Sequence, residues 1–232
     1  MRRIVPALLL LGAVAACDPT GNTTITSQSD TVRVVNLISD AASISVTANG
    51  NSVATGVAFG AVSPGRLVRI EDQEFVTTRN SDDFVIGADS AIMTLGRRYT
   101  FYVFGTSAEH AAKFARDDTT FAAAGTFKLR FIHGSHVDNL NGLDLYVSAA
   151  TDSLVDIDPL VPSLAYAAAS PYVVADTAFK RIRITQTGLT TALLDTTLTT
   201  AIPDSTVLTF VVSDKSGGGT PRRLGMVVDR AP

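Results

Sequence analysis

Residues 57–64 read V-A-F-G-A-V-S-P, and a similar octapeptide, L-A-Y-A-A-A-S-P, occupies residues 164–171. The flanking segments recur in the same order. V-R-V-V-N around Arg33 corresponds to L-R-F-I-H around Arg130, and Y-T-F-Y-V further along corresponds to L-T-F-V-V. Matching segments in constant order, at slightly variable spacing, are typical of a duplicated domain with loop insertions. The sequence therefore predicts two copies of one module.

Strand signals dominate both copies. Short runs rich in Val, Ile, Thr and aromatic residues alternate with Gly, Asn, Asp and Ser, which is typical of strands and turns. Residues 43–48 alternate polar and apolar side chains, and Asn49 and Gly50 supply the positive φ angles of a tight hairpin turn. Residues 99–104 and 208–212 are apolar on both faces, which indicates central strands. Helical periodicity is nearly absent.

This pattern, with about seven short strands per copy, predicts an all-β protein of two tandem immunoglobulin-like β-sandwiches. The predicted copies cover residues 32–124 and 125–232. Residues 117–125 are expected to link them. Alternation in residues 127–133 predicts that Lys128 and Arg130 face water. The one helix candidate, residues 107–116, fits an edge strand equally well.

The composition limits the classes of function. The chain has 232 residues, of which 46% are hydrophobic and 18% charged, so both copies can bury a core. The formal net charge is −3. This balance argues against nucleic acid as a partner, because phosphate binding depends on clustered Lys and Arg.

The amino terminus has the layout of an export signal. Residues 1–16 have a basic start, an apolar run and small residues before Cys17. The run is shorter than the about 20 apolar residues of a membrane-spanning helix. V-A-A-C at residues 14–17 resembles the bacterial lipobox, so we expect Cys17 to carry a lipid and residues 17–31 to form a flexible polar tether. The alternative is an ordinary signal peptide cleaved at A-V-A, which leaves Cys17 as a free thiol.

The opening of copy one resembles a known family. V-R-V-V-N-L-I-S-D-A-A at residues 32–42, followed by an alternating strand, an N-G turn and V-A-F-G, is similar to the bacterial family called domain of unknown function 4397. Its members typically open R-V-V-H-A-S-P-D-A-P. Copy two retains the opening His as His133, copy one has Asn36, both copies lack the S-P-D-A-P proline, and copy two inserts residues 137–142. The resemblance implies a β-rich extracytoplasmic module, often lipid-anchored or secreted, with no established activity.

One cluster has metal-ligand chemistry: His133, His136, Asp138 and Asp144. Imidazole and carboxylate groups suit zinc. We nevertheless expect no metal there, because copy one must fold with Asn36 at the matching position. A zinc site built on the inserted loop is the alternative.

The motif aromatics Phe59 and Tyr166 are expected to lie in the cores of their own modules, with a carbohydrate-stacking platform as the alternative. Asp156 and Asp158 are a weak calcium signal, since a calcium site needs further oxygen ligands. The acidic pair at residues 117–118 is expected to be a solvated turn.

These patterns predict a protein without catalytic residues or cofactor. No nucleophile elbow or paired-histidine metalloprotease motif occurs in the sequence. We expect a lipid-anchored protein of the bacterial cell envelope that acts as a binding or spacer module. Its expected partners are the membrane, through the lipid, and a glycan or an envelope protein. The alternatives are a carbohydrate- or metal-dependent hydrolase and a self-associating surface protein.

Overall fold

The computed structural model describes residues 29–232, which form sixteen strands and a single 3-10 turn at His136–Asp138. The predicted lipidation site and most of the predicted tether lie outside the described residues. Residues 29–31 of the tether belong to the first strand.

The strands of copy one are β1 (Ser29–Ile38), β2 (Ser43–Ala48), β3 (Asn51–Ala58), β4 (Arg66–Arg69), β5 (Asp72–Arg79), β6 (Phe84–Ile92), β7 (Arg98–Gly105) and β8 (His110–Arg116). Those of copy two are β9 (Thr126–Gly134), β10 (Leu143–Ser148), β11 (Val161–Leu164), β12 (Val173–Asp176), β13 (Arg181–Gln186), β14 (Ala192–Thr197), β15 (Val207–Ser213) and β16 (Arg223–Arg230).

Each copy is a sandwich of two four-stranded sheets, which confirms the prediction of two β-sandwiches. Copy one has an inner sheet β4-β1-β7-β8 and an outer sheet β3-β2-β5-β6. Copy two has an inner sheet β12-β9-β15-β16 and an outer sheet β11-β10-β13-β14, so the same strand order repeats. In each inner sheet the first and seventh strands of the copy pair in parallel. This order of eight strands differs from the seven-stranded constant-type immunoglobulin arrangement.

Local signals account for several details. β2 and β3 are joined by Asn49 and Gly50, whose φ angles of 45° and 79° suit the predicted hairpin turn. Residues 110–116 form the edge strand β8. Of the two structures expected for this segment, the strand is therefore correct and the helix is not. Within residues 29–232, no helix has the length and apolar character needed to cross a membrane.

Four layers of sheet are stacked in the order outer, inner, inner, outer. One apolar core fills each sandwich, and a third apolar cluster lies between the two inner sheets. On β7, Phe101 points into the core of copy one, whereas Tyr102 and Phe104 point toward copy two. Successive side chains of a strand face opposite sides, so a strand that is apolar on both faces needs two partner layers. The second inner sheet supplies that partner.

Candidate functional site

The repeated octapeptide builds a backbone support beside the first strand of each copy. Val35 bridges Val62, and the corresponding bridge in copy two joins Ile132 to Ala169. The motif serine completes the support. The hydroxyl of Ser63 accepts a hydrogen bond from the Val34 amide at 2.9 Å, and Ser170 accepts one from Phe131 at the same distance. The recurrence of S-P therefore reflects backbone pairing.

The two motif aromatics lie at the junction of the copies, which corrects the prediction that each ring fills the core of its own module. Both side chains are half-buried. Tyr166 packs edge-on to Phe104 of copy one with ring centroids 5.8 Å apart. The guanidinium of Arg223 in copy two lies 5.4 Å from the ring centroid of Phe59. Each ring thus contacts the opposite copy, because the motif ends where the inner sheets meet.

His133 occupies the position of Asn36 and has the same kind of contact. Both side chains are fully buried. The Asn36 amide donates to the carbonyl oxygen of Val57 at 3.0 Å, and His133 Nε2 donates to that of Asn141 at 3.1 Å. Nδ1 of His133 has no hydrogen-bond partner among residues 29–232. Burial lowers the pKa of His133. Each residue therefore holds a neighbouring segment in place, β3 for Asn36 and the loop before β10 for His133.

The other three residues with metal-ligand chemistry, His136, Asp138 and Asp144, point to different partners. His136 Nε2 lies 3.2 Å from a carboxylate oxygen of Glu109 in copy one. Asp138 accepts from Arg222 Nε at 2.7 Å and Nη2 at 2.6 Å. Asp144 accepts from the backbone amide of Ser163 in β11 at 2.6 Å and from that of Gly188, in the turn after β13, at 3.2 Å.

The four residues with metal-ligand chemistry are therefore dispersed. Burial opposes ionisation of Asp138, but bonds from Arg222 and Ser135 outweigh it and lower the pKa of that carboxyl group. Asp156 and Asp158 lie on an exposed loop. Within the part of the chain that the structure describes, no three His, Cys, Asp or Glu side chains are placed to hold one metal ion.

Two arginine–threonine pairs occupy matching positions in the inner sheets. Arg33 lies opposite Thr100 in the β1–β7 pairing, and Arg130 lies opposite Thr209 in the β9–β15 pairing. Both threonines are fully buried. Arg33 Nη2 donates to Thr100 Oγ1 at 2.8 Å, and Arg130 Nε donates to Thr209 Oγ1 at 3.1 Å. The same pairs recur in the sequence repeat, so the two copies share this arrangement.

Two aspartates complete a charge network between the copies. Asp117 follows β8, and Asp229 belongs to β16. Arg33 Nη2 lies 2.8 Å from Asp117 Oδ2 and 2.8 Å from Asp229 Oδ1. Arg130 Nη2 lies 3.1 Å from Asp117 Oδ1. Each arginine therefore contacts an aspartate of the opposite copy, and we call these four residues the inter-copy network.

Two tyrosines pack against this network. The guanidinium carbon of Arg130 lies 4.8 Å from the ring centroid of Tyr172 and 5.9 Å from that of Tyr102. The Tyr172 hydroxyl donates to Asp229 Oδ2 at 2.8 Å. Burial raises the pKa of Tyr102 to about 12. Burial is the main cause that raises the pKa of Asp229, and repulsion from Asp117 raises it further.

This network was not predicted from the sequence. Arg130 was expected to face water and Asp117 to lie in a solvated turn, and both predictions are wrong, because these residues are 3% and 5% exposed. Alternation correctly placed Arg130 on the strand face opposite Phe131, but copy one covers that face. The available signal was the recurrence of an arginine and a threonine at matching strand positions of both copies.

A cleft opens beside the network at the seam between the copies. It has a volume of about 520 Å³, and its lining includes Arg97, Arg98, Arg116, Asp118 and Tyr172. We call it the seam cleft. It is bounded by the ends of β7 and β8 and by the segment that follows β8.

Comparison with known proteins places the chain in a family. The model of the family described as "Domain of unknown function (DUF4397)" matches residues 30–146, about half of the chain. No curated protein is significantly similar to it. The crystal structure of CBMbc (family CBM26) from Eubacterium rectale Amy13K, in complex with maltoheptaose, has a TM-score of 0.27 and 9% sequence identity to this chain. The match covers 88% of this chain and 98% of that one. A likeness at this TM-score carries no argument about function. The match extends from the first strand of copy one to the second strand of copy two. It shows that this protein belongs to the DUF4397 family.

Proposed function

We propose that this protein is a non-enzymatic, lipid-anchored protein of the bacterial cell envelope whose two sandwiches act as one rigid spacer or binding module. The observation that carries the proposal is the inter-copy network. Breaking a buried ion pair leaves an uncompensated charge, which typically costs about 3–5 kcal/mol. A hinge motion that separated Arg33 from Asp229 would therefore be energetically unfavourable.

The apolar cluster between the inner sheets supports the same view. Phe104 and Ile132 are fully buried there, and Val211 is 1% exposed. The connecting segment is also held in place, since Asp117 and Ala122 are buried. A flexible linker between independent domains is more exposed and makes fewer such contacts.

The arrangement of titratable groups favours a role without catalysis. Catalytic groups converge on an accessible cleft with free positions for a substrate. Here the oxygens of Asp117 accept from Arg33, Arg130 and Thr100. Those of Asp229 accept from Arg33, Tyr172 and Thr209. These carboxylates stabilise the junction, and their partners occupy the positions that a substrate would need.

The anchor is tested by labelling cells with a radioactive fatty acid. The wild-type protein should carry label and fractionate with membranes, whereas Cys17→Ser should lose both properties. A labelled Cys17→Ser protein that remains in the membrane fraction would contradict the proposal.

The rigid unit is tested by a distance measurement. Cys17 is the only cysteine of the chain, so spin labels at Thr55→Cys and Thr197→Cys in a Cys17→Ser background are unambiguous. These positions are exposed on the two outer sheets, in β3 and β14. Pulsed electron paramagnetic resonance spectroscopy should give one narrow distribution of distances between the two spin labels. A broad distribution would show that the copies move independently.

A further inference from the structure

Three arginines converge on the seam cleft. Arg98 begins β7, Arg97 precedes it, and Arg116 ends β8. Because β7 and β8 are antiparallel neighbours with Tyr99 opposite Arg116, the start of one strand and the end of the other lie at the same edge. The topology therefore brings three positive charges to one side of the cleft.

Of these three arginines, only Arg98 is paired with a carboxylate of the cleft, that of Asp117. Asp118 is paired with Lys128 at 2.9 Å, and Asp117 already accepts hydrogen bonds from the inter-copy network. Arg98 Nε lies 3.5 Å from Asp117 Oδ2, which is too long for a good hydrogen bond.

Two donors of Arg98 also lack partners. Nε and Nη2 of Arg98 are buried without a hydrogen-bond partner among residues 29–232. Within the same residues, Arg97 and Arg116 form no ion pair with a carboxylate. Buried donors without partners are unfavourable, and an oxyanion in the cleft would satisfy those of Arg98.

The second copy shows that the fold does not require these arginines. Thr100 pairs with Ala115 and Thr209 pairs with Val227, so Arg98 corresponds to Val207 and Arg116 to Val228. The matching edge of copy two holds an apolar cleft instead, with Ile202, Pro203, Met226 and Val228 in its lining. A sandwich of the same strand order therefore forms with valines at these positions. The positive edge is specific to copy one.

We propose that the seam cleft binds an anionic ligand through a carboxylate or phosphate group. The planar donor fork of arginine matches both groups, and both occur in cell envelopes as acidic sugars and phosphoesters. The volume of about 520 Å³ falls within the range of small-molecule sites. The inference rests on the binding-module part of the proposed function. It is independent of the lipid anchor.

The test is calorimetric titration of the full-length protein in a neutral detergent at low salt. The probes are inorganic phosphate, glycerol 3-phosphate and trigalacturonate, with neutral maltotriose for comparison. We expect saturable binding of at least one anionic probe and none of maltotriose. Tighter binding of trigalacturonate assigns a carboxylate ligand, and tighter binding of glycerol 3-phosphate assigns a phosphoester.

The site is located with variants in which a cleft arginine is replaced by the residue at the matching position of copy two. Arg98→Val and Arg116→Val should each weaken binding at least about tenfold, which corresponds to about 1.4 kcal/mol. Arg66→Val removes the same charge from an exposed position in β4, at the opposite edge of the inner sheet, and should bind like the wild type. The melting temperature of each variant shows whether it is folded.

Three outcomes overturn the proposal: no binding of any anionic probe, binding unchanged in both cleft variants, or equal weakening in Arg66→Val. Each leaves the spin-label distance of the rigid unit unaffected. A failed site and a failed rigid module are therefore distinguishable.

Discussion

Arg33 of copy one and Asp229 of copy two are joined directly, with Nη2 of the arginine 2.8 Å from Oδ1 of the aspartate. The side chain of Asp229 is fully buried and that of Arg33 is 13% exposed. The pair lies across the junction and joins two segments that are 196 positions apart in the sequence.

Replacing Asp229 with Asn should strongly destabilise the whole protein. The variant removes one of the two carboxylates that contact Arg33 and leaves Asp117 as the other, so a loss of up to about 3–5 kcal/mol is expected. Equilibrium unfolding in urea measures the change. Arg181→Met is a suitable control, because its pair with Asp195 is exposed and solvent screens it, so its effect should be much smaller. Equal effects of the two variants would show that the junction pair contributes no more than a surface pair.

The two copies should unfold in one transition. They share the apolar cluster between the inner sheets, so loss of one copy exposes a face of the other. Calorimetry should give equal calorimetric and van't Hoff enthalpies. Ile132→Ala, at a fully buried position of this cluster, should lower the free energy of unfolding by about 2–5 kcal/mol and retain a single transition. Two separate transitions would contradict the shared junction.

Tyr166 should contribute through its ring and not through its hydroxyl. Its Oη is buried and has no hydrogen-bond partner among residues 29–232. A Cβ on Gly105 would lie 3.2 Å from this oxygen, so the site is tightly enclosed. Tyr166→Phe should leave the free energy of unfolding unchanged or raise it by up to about 1 kcal/mol. Tyr166→Ala should lower it by about 3 kcal/mol. Thermal melts compare them, and equal losses would indicate a role for the hydroxyl.

Stability should fall as the pH drops below 6.5 because of His133. Burial lowers its pKa in the folded protein below the ordinary value of 6.5, so the unfolded chain binds more protons in this range. The contribution is complete above pH 6.5 and is lost as the pH falls to the folded pKa, at no more than about 1.4 kcal/mol per pH unit. His133→Asn, which introduces the residue of copy one, should flatten this slope. An NMR titration midpoint for His133 at or above 6.5 would contradict the prediction.

The sequence determined the β class and the internal duplication. Both depend on local features: side-chain alternation sets the strand faces, and residues such as Asn49 and Gly50 set the turns. It also showed that residues 99–104 are apolar on both faces. These features predict the structure correctly because each is contained in a short segment and does not depend on tertiary contacts.

Only the tertiary structure decided what covers the second face of each inner sheet. Arg130 and Asp117 were expected in water because burying an isolated charge is very unfavourable. Pairing with residues of the opposite copy across the junction offsets the free energy cost of burying these charges. Alternation within a strand shows which side chains share a face, but the layer that packs on that face comes from another part of the chain. The partner of Arg33 therefore could not be inferred from the residues around it.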